Sequence, residues 1–289
     1  LERGRTTMQI FSAPNEMQQW CLEQKKQGKS IGLVPTMGYL HEGHLALVRE
    51  ARRRCDIVVV SVFVNPIQFN VGQDFEDYPR NLEHDSDLLE KEQADAIFAP
   101  TIKSMYPPGY NSFVEVLGEM TEKLCGASRP GHFRGVTTVV SKLFHVCLPD
   151  LAFFGQKDAQ QALIIEKMVQ DLNFPLSIVR VPIVRESDGL ALSSRNVHLD
   201  AEQRQAALVL NRVLKEADSL IAGGEKDVTI VRSYIRRSIE AVPQARIDYA
   251  EIYRADDLGD LEKIEGRIII ALAVWFGTTR LIDNLLVEV

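Results

Sequence analysis

The sequence predicts an α/β fold, in which a Rossmann-like doubly wound parallel sheet is followed by a smaller α+β domain. Short apolar runs alternate with helical patterns as far as residue 182, which is typical of a parallel sheet with crossover helices. Two helical patterns and then three strand-like runs follow. Apolar residues make up 45% of the 289 residues, enough for a core in each part. We therefore predict domains over residues 1–182 and 183–289.

The predicted elements come from hydrophobic periodicity and β-branched content. The run over residues 57–64 is apolar except for Ser61 and rich in β-branched residues, as expected for a strand buried on both faces of a parallel sheet. In the first domain, helices are predicted over 15–27, from 43, and over 80–92, 135–146 and 159–172, with strands over 31–34, 57–64, 96–99, 151–154 and 177–182. In the second domain, helices are predicted over 201–222 and 227–241, with strands over 247–253, 267–276 and 281–287.

Composition disfavours several classes of protein. The net charge of −7 argues against a protein that binds nucleic-acid phosphates. The four cysteines include no CxxC pair, which favours a reducing compartment. The longest apolar run has nine residues (268–276), whereas a membrane span needs about 20. Residues 1–7 lack the apolar stretch of a signal peptide, and Met8 is a candidate start. We expect a soluble cytoplasmic protein.

The loop over residues 35–42 and the helix start after it carry the strongest chemical signal, Pro35-Thr-Met-Gly-Tyr-Leu-His-Glu-Gly-His44. A helix N-terminus offers unpaired N–H groups to a phosphate, and Gly43 allows close approach of a ligand. His41 and His44 flank that glycine and can donate hydrogen bonds to a triphosphate. The HxGH spacing resembles the motif of the superfamily of nucleotidylyltransferases and class I aminoacyl-tRNA synthetases. The shared chemistry of that superfamily is attack on the α-phosphate of a nucleotide.

Three better-known motifs do not fit this loop. Residues 38–43 have the GxxxxG spacing of a P-loop, but His44 and Leu45 replace the lysine and hydroxyl of that motif. The sequence contains no GxGxxG, and the histidine spacing is not that of HExxH. Two alternatives remain open: the histidines could only cap the helix, or they could bind a metal.

Two further loops have the composition of nucleotide-binding turns. Gly155, Lys157 and Asp158 follow a predicted strand, where a lysine can reach a phosphate and a carboxylate can accept ribose hydroxyls. Ser193, Ser194 and Arg195 form a hydroxyl- and arginine-rich loop that suits phosphate binding. This loop resembles the KMSKS-type loop of the same superfamily. Each could instead be a solvated turn.

A pocket for a small acid is predicted from two other segments. Asn65 and Gln68 place amides between Phe63 and Phe69, which suits a hydroxy acid with apolar methyls. The segment 126–135 is rich in glycine and cations, and its Arg129 is a candidate carboxylate receptor. The alternative is that the arginines of this segment pair with surface acids.

Taken together, the motifs resemble the pantoate–β-alanine ligase family. The matching segments, in family order across nearly the whole chain, are PTMGYLHEGH at 35–44, VNPIQF at 64–69, GASRPGHFRGV at 126–136, FGQKDAQQ at 154–161, DGLALSSRN at 188–196 and RLIDN at 280–284. The resemblance implies an ATP- and Mg²⁺-dependent ligase that makes pantothenate through a pantoyl-adenylate and releases pyrophosphate and AMP. It also implies a homodimer with a Rossmann-like domain and a C-terminal lid.

The resemblance implies roles for individual residues where the motifs match. The catalytic group is His44, the family's proton donor, with His41, Lys157 and Arg195. The implied ATP-binding residues are Met37, Gly38, Tyr39, Leu40, His41, Glu42, Gly43, His44, Gly155, Gln156, Lys157, Asp158, Val184, Leu192, Ser193, Ser194 and Arg195. Gln68 would contact pantoate and β-alanine, and Gln161 would hold pantoate. No metal ligand or base for the amine is assigned, although His132 is a candidate.

Two departures from the family pattern and two rival functions complete the sequence-based expectations. Ala159 stands where an aromatic residue is common, and Gln156 where a charged residue is frequent. One rival is a nucleotidylyltransferase that transfers AMP or CMP to a phosphate ester and retains it in the product. The other is a non-catalytic nucleotide-binding module, which the presence of both histidines and the Ser-Ser-Arg loop disfavours.

Overall fold

The computed structural model describes residues 7–69, 75–76 and 78–289, and the chain divides into two compact units. The first unit contains the chain up to Val116 with Arg129–Gly155 and Ile164–Val181. The second contains Leu117–Ser128, Gln156–Leu163 and Pro182–Val289. The division into domains over residues 1–182 and 183–289 stays a prediction.

The strands and helices are numbered in chain order. The strands are β1 Gln9–Phe11, β2 Ile31–Thr36, β3 Ile57–Val62, β4 Ala96–Phe98, β5 Leu151–Gly155, β6 Ser177–Val181, β7 Ala245–Arg254, β8 Arg267–Phe276 and β9 Thr279–Glu288. The helices are α1 Pro14–Lys26, α2 Glu42–Arg54, α3 Leu82–Lys91, α4 Ile102–Met105, α5 Glu119–Glu122, α6 Cys125–Ser128, α7 His132–Cys147, α8 Ala159–Asp171, α9 Ala201–Ala207, α10 Val209–Ala222 and α11 Val228–Glu240. Three 3₁₀ segments are Pro66–Gln68, Gln156–Asp158 and Ser194–His198.

The first unit contains a six-stranded parallel sheet in the order β1-β4-β3-β2-β5-β6. Helices α2 and α3 pack on one face through an apolar cluster that includes Leu45, Val48 and Leu89, and α1 and α7 pack against each other and β2. The chain order reverses between β2 and β5. In a doubly wound sheet, such a reversal places the ligand crevice at the carboxyl ends of these strands. Thr36 and Gly155 are the residues at those ends.

The second unit is built around an antiparallel sheet in the order β7-β8-β9. Helices α10 and α11 pack on it through a core that includes Leu210, Val213, Ile235 and Leu272. The two sheets confirm the predicted fold class, a doubly wound parallel sheet followed by a smaller α+β part.

Three of the differences from the predicted elements have a physical reason. Strand β2 continues through Pro35 to Thr36, beyond its predicted end. It pairs with β3 along its length but with β5 only at Gly32 and Leu33. The proline is therefore tolerated, because the strand is unpaired on one side at this position. The helix predicted over 201–222 is interrupted at Leu208, whose N–H bonds to the carbonyl of Gln205 three residues back. Strand β1 was not predicted, since three residues show no periodicity.

Within the described ranges, no helix combines the length and apolar character that crossing a membrane requires. The expectation that residues 1–7 are not a signal peptide falls largely on residues 1–6, which lie outside the described part of the chain.

Candidate active site

The turn between β2 and α2 is fixed by a buried carboxylate. Gly38 and Tyr39 have positive φ angles of 83° and 52°. Asp85 on α3 is 0% exposed and accepts the backbone N–H groups of Tyr39 at 2.9 Å and Leu40 at 2.7 Å. A Cβ at Gly38 would lie 2.9 Å from Asp85 Oδ2, so this position needs glycine both for its φ and for close packing. The backbone ahead of α2 is therefore set in place before any ligand arrives.

His41 and His44 form a capping box at the start of α2. His41 is the N-cap, and its Nδ1 accepts the N–H of Gly43 at 3.1 Å. The N–H of His41 is donated to Nδ1 of His44 at 3.3 Å, and the two ring centroids are 4.1 Å apart. Because each Nδ1 is an acceptor, the proton of each neutral ring lies on Nε2. The helix-capping role that the sequence left open is real, and the same bonds orient two Nε2–H donors.

Glu42 is the first residue of α2, and its side chain is not suited to binding an anion. The carboxylate pairs with Arg49, and this hydrogen bond holds the pKa of Glu42 below its usual value. An ionised carboxylate repels phosphate, so any contact that Glu42 makes with ATP is expected through its backbone N–H at the helix N-terminus.

Asn65 and Gln68 belong to a buried network at the end of β3. Asn65 is 1% exposed, and its Nδ2 donates to Gln68 Oε1 at 3.0 Å and to the carbonyl of Gly135 at 3.1 Å. Its Oδ1 accepts the hydroxyl of Tyr106 at 2.7 Å. Burial raises the pKa of Tyr106, so the phenol stays protonated and remains a donor. Asn65 thus orients Gln68, whose Nε2 lies 3.2 Å from the sulfur of Met37.

Arg129 and His132 lie beside the backbone of Gln68. His132 is 7% exposed, and its Nδ1 donates to the carbonyl of Gln68 at 2.8 Å. Its Nε2 is then the acceptor, and Nη1 of Arg129 lies 3.1 Å from it. A role for His132 as a base would require breaking this contact. Arg134 does not join the group, since its guanidinium lies over the ring of Phe113 at 3.9 Å.

In the second unit, the 3₁₀ segment Gln156–Asp158, here called the Lys157 turn, is hydrogen-bonded to strand β9. Asn284 Nδ2 donates to the carbonyls of Gln156 and Lys157, each at 3.0 Å, and Gln156 Nε2 donates to Asn284 Oδ1 at 2.9 Å. The glutamine at position 156 therefore takes part in this contact through the donor of its side-chain amide. Asp158 is exposed, and its carboxylate lies 3.9 Å from Lys157 Nζ.

The start of α8 contains Ala159 and Gln161. Ala159 is 4% exposed and lies in an apolar cluster with Leu163, Leu258 and Ile269. Its small side chain therefore fits a packed environment, although the family pattern commonly has an aromatic residue there. Gln161 is half-buried on the same first turn of the helix.

The Ser-Ser-Arg loop rises from a short antiparallel pairing in the second unit. Leu192 N–H donates to the carbonyl of Val184 at 3.0 Å, and Arg185 pairs with Ala191. Ser193 caps the following 3₁₀ turn, since its hydroxyl accepts the N–H of Arg195 at 3.3 Å. Ser194 is half-buried and Arg195 is exposed, so the guanidinium lies at the surface of its unit.

The predicted site residues are thus divided between the two units. The first unit holds Met37, Gly38, Tyr39, Leu40, His41, Glu42, Gly43, His44, Asn65, Gln68, Arg129, His132 and Gly155. The second holds Gln156, Lys157, Asp158, Gln161, Val184, Leu192, Ser193, Ser194 and Arg195. Sequence reasoning missed the supporting residues Asp85, Tyr106 and Asn284. Only Asn284 had a local signal, its place in the RLIDN segment.

The described residues contain no group of three or more His, Cys, Asp or Glu side chains arranged to hold a metal ion. Magnesium in nucleotide enzymes is bound largely by substrate phosphates and water, with only one or two carboxylates. A magnesium ion held in that way would not need a dedicated group of protein ligands.

Comparison with known proteins gives consistent matches. A family described as pantoate-beta-alanine ligase matches residues 9–286. The chain is 65% identical over 282 residues to pantothenate synthetase of Syntrophomonas wolfei, covering 98% of this chain and 100% of the relative. The solved pantothenate synthetase of Thermus thermophilus has a TM-score of 0.91 at 45% identity, covering 96% of this chain and 99% of that chain. The pantoate-beta-alanine ligase of Francisella tularensis, complexed with beta-gamma ATP and beta-alanine, has a TM-score of 0.80 at 34% identity, covering 97% and 98%.

Proposed function

The chain belongs to the pantoate–β-alanine ligase family, and from this we propose that it joins pantoate to β-alanine through a pantoyl-adenylate. The family resemblance drawn from the six sequence segments is confirmed. The observation that carries the adenylate-forming step is the capping box at α2, which orients the Nε2–H groups of His41 and His44 beside a helix N-terminus. That arrangement suits a triphosphate that is losing pyrophosphate.

In the first proposed step, a carboxylate oxygen of pantoate attacks the α-phosphorus of ATP. A P–O bond forms and the bond to pyrophosphate breaks, and no base is needed because the carboxylate is already ionised. His41 and His44 donate hydrogen bonds to the charge that moves onto the leaving group, and His44 supplies the proton donor. Lys157 and Arg195 add positive charge and the hydroxyls of the Ser-Ser-Arg loop add hydrogen bonds. Magnesium would neutralise phosphate charge.

The remaining predicted site residues are proposed to bind the two small substrates and the nucleotide. Gln68 contacts pantoate and β-alanine, and Gln161 holds pantoate. The support for Gln68 is its fixed amide, which Asn65 orients from behind. The proposed ATP contacts are Met37, Gly38, Tyr39, Leu40, Glu42, Gly43, Gly155, Gln156, Asp158, Val184 and Leu192. An ATP contact at Gly155 is supported by the open space there. A Cβ would meet no described atom within 4 Å, so packing within the protein does not require glycine at this position, whereas close approach of a ligand would.

In the second proposed step, the neutral amine of β-alanine attacks the acyl carbon. The C–N bond forms, the acyl C–O bond to the phosphate of AMP breaks, and the proton that the nitrogen loses as the amide forms goes to solvent. A structural role for His132 is supported by the contacts of its two ring nitrogens with Gln68 and Arg129. We propose that β-alanine arrives deprotonated, and that Arg129 receives its carboxylate.

Substitution of Arg129 by alanine is expected to raise KM for β-alanine by about tenfold to a hundredfold, the effect of losing one charge-assisted hydrogen bond. The matched control is Arg134→Ala, in the same segment, whose guanidinium lies over Phe113. Steady-state rates at varied β-alanine measure both. Equal KM values in wild type and Arg129→Ala would remove Arg129 from the proposed site.

The function itself is tested by mass detection of products from ATP, pantoate and β-alanine. We expect pantothenate, AMP and pyrophosphate in equal amounts. Omission of β-alanine should stop AMP release but allow pyrophosphate exchange into ATP. A nucleotidylyltransferase would instead retain AMP or CMP in its product and need no amine.

The homodimer, the cytoplasmic location and the requirement for magnesium are likewise proposed from family membership. Sedimentation equilibrium would measure the mass of the assembly. Loss of pyrophosphate exchange on chelation, with recovery on addition of Mg²⁺, would test the metal.

A further inference from the structure

The RLIDN segment at 280–284 contains two consecutive buried polar residues that take no part in the proposed chemistry. Asp283 is 2% exposed and Asn284 is 5% exposed, although neighbouring residues of a strand point to opposite faces. Both are held in the sheet by pairing with Leu272 and Ala271 of β8. Burying a carboxylate and a carboxamide side by side is unfavourable unless each is fully hydrogen-bonded. Their partners therefore indicate what they do.

Asn284 holds the backbone on both sides of Lys157. Its Nδ2 donates to the carbonyls of Gln156 and Lys157, which are the peptide groups that precede and follow the Lys157 Cα. Its Oδ1 accepts the Gln156 amide. With three bonds from one carboxamide, the direction in which the Lys157 side chain leaves the backbone is set relative to β9.

Asp283 holds the base of the Ser-Ser-Arg loop. Arg185 binds it bidentately, with Nη1–Oδ2 at 2.7 Å and Nη2–Oδ1 at 2.9 Å. Arg185 Nη1 also donates to the carbonyl of Gly189, and Arg185 pairs with Ala191 across the short ladder that leads to Ser193. The N–H of Asn284 supplies a further donor to Asp283 Oδ1 at 2.8 Å. The carboxylate thus connects strand and loop base.

We propose that Asp283 and Asn284 are a positioning pair, which holds the Lys157 turn and the Ser-Ser-Arg loop in one register on a single strand. The inference deepens the proposed function, because it assumes that both segments act on ATP. A strand paired along its length is rigid, so two phosphate-binding segments attached to adjacent residues keep a fixed relation without moving when ATP binds.

The test separates the two half-reactions. Asn284→Asp keeps the shape of the side chain but replaces Nδ2 by a carboxylate oxygen. That oxygen would face the carbonyl oxygens of Gln156 and Lys157 and repel them. We expect it to slow pyrophosphate release from ATP and pantoate by about 10²-fold, as a misplacement near 1 Å can. Reaction of preformed pantoyl-adenylate with β-alanine involves no pyrophosphate, so we expect that rate to change by no more than about threefold, since the leaving-group contacts are not used.

A second variant and a control protect the test against misfolding. Arg185→Met with Asp283→Leu removes the ion pair without leaving a buried charge, a change that a fold tolerates well. We expect the same loss confined to pyrophosphate release. The control is Glu251→Gln on β7 of the same sheet. It breaks the ion pairs of Glu251 with Arg232 and Arg236 of α11.

The outcomes are distinct. If both half-reactions of the two test variants fall together, or if the variants match Glu251→Gln, the positioning role is wrong. If the wild-type enzyme forms neither pyrophosphate nor pantothenate, the proposed function fails instead.

Discussion

His44→Ala is expected to slow adenylate formation by about 10² to 10³, the usual cost of removing one preorganised donor to developing charge. The physical reason is the fixed tautomer. His44 Nδ1 accepts the N–H of His41, so its proton lies on Nε2, where it can be given to the leaving pyrophosphate. The measurement is single-turnover pyrophosphate release from ATP and pantoate without β-alanine. An unchanged rate in His44→Ala would remove the histidine from the mechanism.

A matched variant separates the chemical role of His44 from its structural role. Loss of a capping acceptor costs about 0.5–2 kcal/mol of stability, and that loss could lower activity without any chemistry. His44→Asn retains an acceptor for the N–H of His41 but lacks a donor that reaches as far as Nε2. We expect it to unfold in urea close to wild type while its pyrophosphate release stays as slow as that of His44→Ala. Recovery of the rate in His44→Asn would show that the cap alone matters.

The sequence was informative where structure and chemistry are local. The order of strands and helices follows from periodicity, and the HxGH spacing lies within one helical turn of α2. The boundaries were less accurate at Pro35 and Leu208, because each depends on bonds to a particular neighbour and not on residue type. A proline predicts a loop unless one knows that its side of the strand is unpaired.

The supporting residues of the site could not be found in this way. Asp85 is separated by 45 positions from the Leu40 N–H that it accepts, and Asn284 by 127 from the carbonyl of Lys157. Asp85 lies in no motif, and Asn284 has only its place in the RLIDN segment, which does not indicate a partner. An aspartate inside a helix is ordinarily interpreted as solvated. Asn65 as a substrate ligand stays a prediction, and its hydrogen bonds to Gln68, Gly135 and Tyr106 could not be foreseen from the sequence. Tertiary hydrogen bonds decide these roles, and they leave little trace in local spacing.

Gly135→Ala is expected to lower kcat/KM for pantoate by about 10²-fold through the backbone of Gln68. A Cβ at Gly135 would lie 2.4 Å from the carbonyl oxygen of Ile67 and 2.6 Å from Gln68 Cα. These are backbone atoms, so they cannot rotate away as a side chain would. The 3₁₀ segment Pro66–Gln68 must shift from α7, and displacing a substrate ligand by about 1 Å is enough for this loss.

The same substitution also disturbs the network that orients Gln68. The carbonyl of Gly135 accepts Asn65 Nδ2, and Asn65 in turn donates to Gln68 Oε1. Overpacking of this kind costs about 1–3 kcal/mol, so the free energy of unfolding should fall together with kcat/KM. Gly223→Ala is the control, since its Cβ would lie 3.3 Å from the nearest atoms at the end of α10 and the φ of −73° is ordinary. We expect that variant to stay within about 1 kcal/mol of wild type.

The two measurements together decide whether Gln68 binds pantoate. Destabilisation alone, with kcat/KM for pantoate preserved in the folded enzyme, would mean that Gly135 serves only packing and that the acid lies elsewhere. A loss of kcat/KM that persists well below the temperature of unfolding would place the acid against Gln68. The difference rests on geometry, because the atoms that meet the new methyl group are backbone atoms of Gln68, the residue proposed to hold the substrate, and of Ile67 before it.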